Sequence, residues 1–235
     1  MTQAQTLAER LALLACRTDN HKIRSPFSSQ TGNFDYTLQA ALVVELIERG
    51  RVAVVSKRGP FGGEKFTLEQ SGFEPTGNAP LDSLLARVAD PKNTRKSLQN
   101  WLMYSSTRQT IIEDLAERGI VTVHHEGSGL LAKTRVRPAD PATHDAIRDE
   151  FEDVFLRDRE PSRPDLLTAA LLASGETWEY VEPLEGTPGM AHFFERLIEL
   201  SNRYGPKWTS PDAQQDTRSV SRVLNALGRA NAPSG

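Results

Sequence analysis

The sequence predicts a mainly α fold in one domain with two short β-hairpins, and three observations carry that reading. The first is Thr37 to Val55, TLQAALVVELIERGRVAVV, apolar on nearly every face from Leu38 to Ile47 and then meeting Glu48-Arg49-Gly50. So continuous an apolar surface suits a helix buried on all sides, and a glycine at its end supplies the left-handed backbone that closes it. Beyond Gly50, Arg51-Val52-Ala53-Val54-Val55 is β-branched enough to leave the corner as a strand. The second is a copy at Ile111 to Val123, where Glu117-Arg118-Gly119 again separates an apolar helix from a Val-rich strand. Two copies fall short of the roughly three units a solenoid needs, so they mark two helix-to-strand corners of one domain. The third is size: 235 residues at 38% hydrophobic content can bury one large core.

In chain order, Leu7, Leu11, Leu14 and Ala15 recur on one helical face, with Thr6 placed as N-cap. Thr18 to Asp35 is polar, holds Asn20, Pro26, Gly32 and Asn33, and is expected as a long loop feeding the central helix. Strands at Val52–Val55 and Lys65–Leu68, joined through Lys57-Arg58-Gly59-Pro60-Phe61-Gly62-Gly63, form the first hairpin. Leu81, Leu84, Leu85 and Val88 repeat at helical spacing until Asp90-Pro91 ends the run. Ser97 to Glu117 carries Leu98, Trp101, Leu102, Ile111, Ile112 and Leu115 around a hydroxyl-rich break at Ser105–Thr107, so it reads as two helices or one bent helix.

Two strand-like runs between Ile120 and Val136 flank Glu126-Gly127-Ser128-Gly129, the second hairpin signal, with Leu130 and Leu131 just past the tip. Helices follow after Asp140-Pro141, carrying Ile147, Phe151, Val154 and Phe155, and from Asp165 to Ser174, nearly all apolar. Gly175 to Gly189 is a loop; Met190, Phe193, Phe194, Leu197 and Ile198 mark the next helix, and Val220, Val223, Leu224 and Leu227 the last. The expected domain is 1–228, with 229–235 a flexible tail.

A net charge of -3 and a pI near 6.0 exclude a nucleic-acid protein that binds through a large basic face. The lone Cys16 builds neither a disulfide framework nor a thiolate metal site within one chain. No secretory leader opens the sequence and no apolar run approaches the ~20 residues that span a bilayer, so any membrane contact is expected to be peripheral.

Most chemical motifs fail on geometry. His124-His125-Glu126 resembles a metal cluster, but adjacent strand residues point to opposite faces, and no metal site or cofactor is expected. His192 and Glu195 share a helix face without a partner pair elsewhere. The Lys57 to Gly63 run lacks the Gly-Lys-Ser/Thr ending of a phosphate loop, and no Gly-x-Ser-x-Gly marks a nucleophile, so nothing requires an enzyme. Two features remain. Trp101 and Arg108 flank Ser105-Ser106-Thr107, where hydroxyls and a guanidinium can coordinate a phosphate or carboxylate; the alternative is a core tryptophan beside a surface arginine. Leu130-Leu131, if exposed, contributes about 1.5–3 kcal/mol per side chain to a membrane or protein interface; the alternative is packing onto the parent domain.

Four segments in order resemble the Golgi phosphoprotein 3 family: TLAERLALLA, FDYTLQAALVVELIERGRV, PTGNAPLDSLLARV, and LQNWL followed by IIEDLAERGIV. They cover Thr6 to about Val136, with a weaker echo through Ser174, and the chain is most similar to bacterial members. The resemblance implies a single-domain helical bundle wrapped by amphipathic helices, binding of phosphatidylinositol 4-phosphate as in eukaryotic members, and a hairpin at Val121 to Val136 that dips into a bilayer. Three head-group arginines of the family fall on Gln39, Ser105 and Arg108, of which Arg108 alone keeps its identity. The family tryptophan has no counterpart between Arg24 and Asn33. Each charge-assisted phosphate contact is worth roughly 1.5–3 kcal/mol, so two lost cations imply reduced head-group selectivity.

The resulting expectation is a non-enzymatic, peripheral, cytoplasmic binding protein on the inner face of a membrane. Its ligand is an anionic lipid or phosphorylated small molecule, met at Arg108, Ser105, Gln39 and Trp101, with Leu130 and Leu131 touching the membrane. Neither nucleic acid nor a transmembrane segment is expected. The rival readings are a soluble adaptor with a protein partner, and a small-molecule enzyme that reuses the fold.

Overall fold

The computed structural model describes residues 5–16, 32–58, 63–103, 106–126, 133–181, 187–204 and 214–231. In chain order these form α1 (Leu7–Leu14), α2 (Gly32–Glu48), β1 (Val52–Arg58), β2 (Glu64–Gln70), α3 (Ala79–Ala89), α4 (Leu98–Leu102), α5 (Thr107–Glu117), β3 (Val121–Glu126) and β4 (Lys133–Pro138). Then follow α6 (Pro141–Phe155), α7 (Arg163–Gly175), α8 (Thr187–Tyr204) and α9 (Gln214–Asn231). Short 3-10 turns at Pro91–Asn93 and Trp178–Tyr180 join neighbours. The fold is mainly α with two short antiparallel hairpins, as the patterning predicts.

Helix α2 is the axis. Leu38, Ala40 to Val44, Leu46 and Ile47 are all nearly or fully buried, because α1, α3, α4, α5, α7, α9 and β1 surround the helix. Both predicted corners form with the same geometry. Gly50 has φ 64° and donates to the Ile47 carbonyl at 2.9 Å, while Arg51 N reaches back to Leu46 at 2.8 Å. Gly119 has φ 68°, donating to Ala116 at 3.0 Å with Ile120 N on Leu115 at 2.8 Å. This paired closure satisfies carbonyls that a helix end leaves open, and it needs the left-handed residue that glycine tolerates.

Helix ends are also tied to one another. The buried Glu9 completes a capping box with Thr6 at the start of α1. Its carboxylate also accepts from Asn78 Nδ2 at 2.7 Å and Arg118 at 2.5 Å, joining α1 to the N-cap of α3 and the end of α5. A buried carboxylate needs such partners to offset its desolvation. Asp165 is likewise buried in the capping box that opens α7, where it pairs with Arg10 of α1.

In the first hairpin Val52 faces Gln70 and Arg58 faces Glu64. Helix α9 covers the outer edge of β1: Val54 N donates to Ser219 Oγ at 3.3 Å and Arg222 donates to the Val54 carbonyl at 3.2 Å. In the second hairpin Val121 faces Pro138 and Glu126 faces Lys133. Its tip, with Leu130 and Leu131, lies outside the described residues. Among the described residues no helix is long and apolar enough to cross a membrane.

Several boundaries differ from expectation, two of them by enough to matter for the site and the tail. Helix α2 opens at Gly32, so Asp35, assigned to a loop, lies in the first helical turn. Helix α9 continues to Asn231, past the expected start of a flexible tail at 229, because Leu227 is fully buried and holds that turn against the core.

Candidate functional site

The start of α5 faces α2 and α3 across a small hollow of about 130 Å³. Its polar lining is Gln39 of α2, Ser83 and Arg87 of α3, the N-cap residue Ser106, and Thr107 and Thr110 of α5. Each helix brings its residues for a local reason. Gln39 interrupts the apolar surface of α2 and is fully buried. Ser83 and Arg87 are one helical turn apart on α3, away from the core leucines Leu81 and Leu85. Ser106 begins α5 without a side-chain hydrogen bond to cap it, so the positive end of the helix dipole opens toward the hollow.

Gln39 is the centre of this arrangement. Its Oε1 accepts a short hydrogen bond from the Thr107 hydroxyl, which orients the amide. Its Nε2 is buried with no hydrogen-bond partner. An unpaired buried amide donor costs about 1–3 kcal/mol, which an acceptor entering the hollow would recover. Arg87 adds a guanidinium whose carbon stands 5.4 Å from the Trp101 ring centroid, and Lys96 lies over the same ring at 4.7 Å. Trp101 is 1% exposed, so it is a core residue that also supports cations on its ring.

Arg108 stands apart from the lining of this hollow. Its Nε lies 3.2 Å from Asp35 Oδ1, binding the start of α5 to the start of α2. Burial raises the Asp35 carboxyl above its ordinary value, and the Arg108 charge partly opposes the rise. Of the four ligand-binding residues expected from sequence, Gln39 lines the hollow, Trp101 lies beneath its Arg87, Arg108 is engaged by Asp35, and Ser105 lies outside the described residues. Arg87 and Thr110 were not anticipated. The available signal for Arg87 was the spacing of Pro80, Ser83, Leu84 and Arg87 along one side of α3.

His124 sits opposite Arg135 in the second hairpin, and His192 Nε2 is 3.9 Å from Asp158 Oδ1. Among the described residues no group of three or more His, Cys, Asp or Glu side chains could hold an ion.

A family model described as Golgi phosphoprotein 3 (GPP34) matches residues 7–230, nearly the whole chain. The chain belongs to the Golgi phosphoprotein 3 family. The match extends well past Ser174, where the resemblance visible in the motifs ended, and so takes in α8 and most of α9. No curated protein matches the chain. In this Golgi phosphoprotein 3 family member the hollow is lined by Gln39 of α2, and its guanidinium comes from Arg87 of α3.

Proposed function

We propose that this protein is a non-enzymatic peripheral binding protein that receives one phosphate group in the hollow beside Gln39. The phosphate belongs to an anionic lipid head group or a phosphorylated small ligand. The observation that carries the reading is the unpaired Nε2 of buried Gln39 on a hollow that also holds a guanidinium and four hydroxyls. Donors dominate such a lining: the amide, Arg87, the hydroxyls of Ser83 and Ser106, and the open end of α5, while the Thr107 and Thr110 hydroxyls donate to Gln39 Oε1 and to the Ser106 carbonyl and hold the lining in place. The oxygens of a phosphate accept from the amide, the guanidinium, the two serine hydroxyls and the helix end.

Selectivity follows from size and charge. A hollow of about 130 Å³ accommodates a single tetrahedral oxyanion and leaves the remainder of a head group outside. One arginine in place of a cluster supports recognition of a phosphomonoester with weak discrimination among the groups that carry it. Family membership agrees with a role in lipid or protein binding and with a protein that performs no chemistry of its own.

The test uses full-length protein in two arms. Inorganic phosphate, titrated by calorimetry, reads the shared chemistry; co-sedimentation with vesicles of phosphatidylcholine alone or carrying an anionic phosphomonoester lipid distinguishes a membrane source from a free one. Binding to phosphate and to the anionic vesicles, weakened by salt and by Arg87→Ala, is the expected result. Equal pelleting with neutral vesicles, or no response to phosphate, contradicts the proposal.

A further inference from the structure

We propose that a groove between β2, α4 and α9 is a second binding site, for an amphipathic organic anion: a carboxylate or sulfonate joined to a compact apolar body. The groove encloses about 410 Å³, within the range of small-ligand sites, and shares no lining residue with the hollow beside Gln39. Its apolar floor is Phe66, Leu98 and Ala226. Its cations are Lys65, Arg222 and Arg229.

The cations are held in different ways, and the difference defines the site. Arg222 lies 4.5 Å above the Phe66 ring and donates to the Val54 carbonyl, so it forms a fixed positive wall. Lys65 Nζ donates to the Arg95 carbonyl at 2.7 Å, which holds its charge over the edge of β2. Arg229 is exposed and makes no hydrogen bond or ion pair with any described residue. The single carboxylate of the lining, Glu64, is engaged by the Ser56 hydroxyl at 2.6 Å. A net positive lining on a chain of net charge -3 is complementary to an anion.

The spacing on α9 adds direction. Arg222, Asn225, Ala226 and Arg229 share one helical face, and the two arginines are separated by about 10 Å of helix axis. An acid head that meets Arg229 lays its apolar body along Ala226 toward Leu98 and Phe66. The occupant is therefore a molecule with one charged end, whereas a bare phosphate would leave the apolar floor uncovered.

The test titrates full-length protein with 2-naphthoate and with its neutral counterpart 2-naphthamide, in the natural chain and in Arg229→Glu, by calorimetry and amide nuclear magnetic resonance. The expected result is one-to-one binding of naphthoate that shifts the amide signals of Lys65, Phe66 and Ala226. Both removal of the ligand charge and Arg229→Glu should weaken it by about tenfold or more, the loss expected of one charge-assisted contact. Arg229→Glu should leave the melting temperature and the phosphate response beside Gln39 unchanged. Equal affinity for naphthamide, an undiminished response in Arg229→Glu, shifts gathered around Gln39 instead, or no binding at all overturns the proposal.

Discussion

Cys16 and Asp35 show how burial sets chemistry one residue at a time. The Cys16 thiol is 1% exposed and pushed up to about 12 by burial alone, so it stays a neutral, unreactive thiol at physiological pH. Ellman's reagent should leave it untouched in the native protein and modify it only as fast as the chain unfolds; rapid native labelling would contradict the burial. Asp35 has the opposite sign of consequence from a surface salt bridge. Its folded carboxyl is raised by burial, so the folded chain holds a proton at a pH where the unfolded chain has lost it. The contribution to stability is fully present below the ordinary carboxylate range and is lost as pH rises through the raised folded value. Arg108→Ala removes the charge that opposes this rise, so a carbon-detected titration should find Asp35 titrating still higher in that variant. An unchanged Asp35 would mean that the ion pair does not form in solution.

At the scale of elements, three glycines separate two kinds of cost. Gly50 and Gly119 have positive φ and open space where a methyl would stand, so alanine there should cost roughly 1 kcal/mol from backbone strain alone. Gly175 has no such backbone constraint, but an added methyl runs into the buried Thr37 hydroxyl where α7 meets α2. Gly175→Ala should therefore destabilise by about 1–3 kcal/mol, more than either corner variant, and denaturant melts of the three single variants order them. The corners were legible in the sequence because their signal is local: an apolar helix, a glycine and a β-branched run are contiguous. The crowding at Gly175 was not, because it depends on a residue of another helix. The same distinction governs the candidate site. Gln39 was placed at the site only by the family resemblance, whereas Arg87 enters the hollow only because α3 packs beside α5, and Arg108 turns toward Asp35 because α2 starts at Gly32 and carries Asp35 in its first turn.

For the molecule as a whole, the buried axis α2 brings Gln39 to a place where three helices leave a polar gap in a continuous apolar core. Helices α2, α3 and α5 line that gap and are packed into the common core, so binding should require little rearrangement of these helices. If Gln39 occupies the position of a family arginine, Gln39→Arg should add a second guanidinium to the hollow and tighten binding of phosphate-bearing vesicles several-fold, with a steeper salt dependence. A variant that folds normally and pellets no better would separate the hollow from lipid recognition. The most direct measurement is a titration of the isotope-labelled protein with inorganic phosphate, following the amide signals of Ser106 and Thr107 in the natural chain and in Arg87→Ala. Saturable shifts in the natural chain that weaken roughly ten- to hundred-fold in Arg87→Ala, with the melting temperature little changed, are the predicted result. Silent Ser106 and Thr107 signals, or identical titrations in the two proteins, would contradict the assignment of this hollow as the anion site.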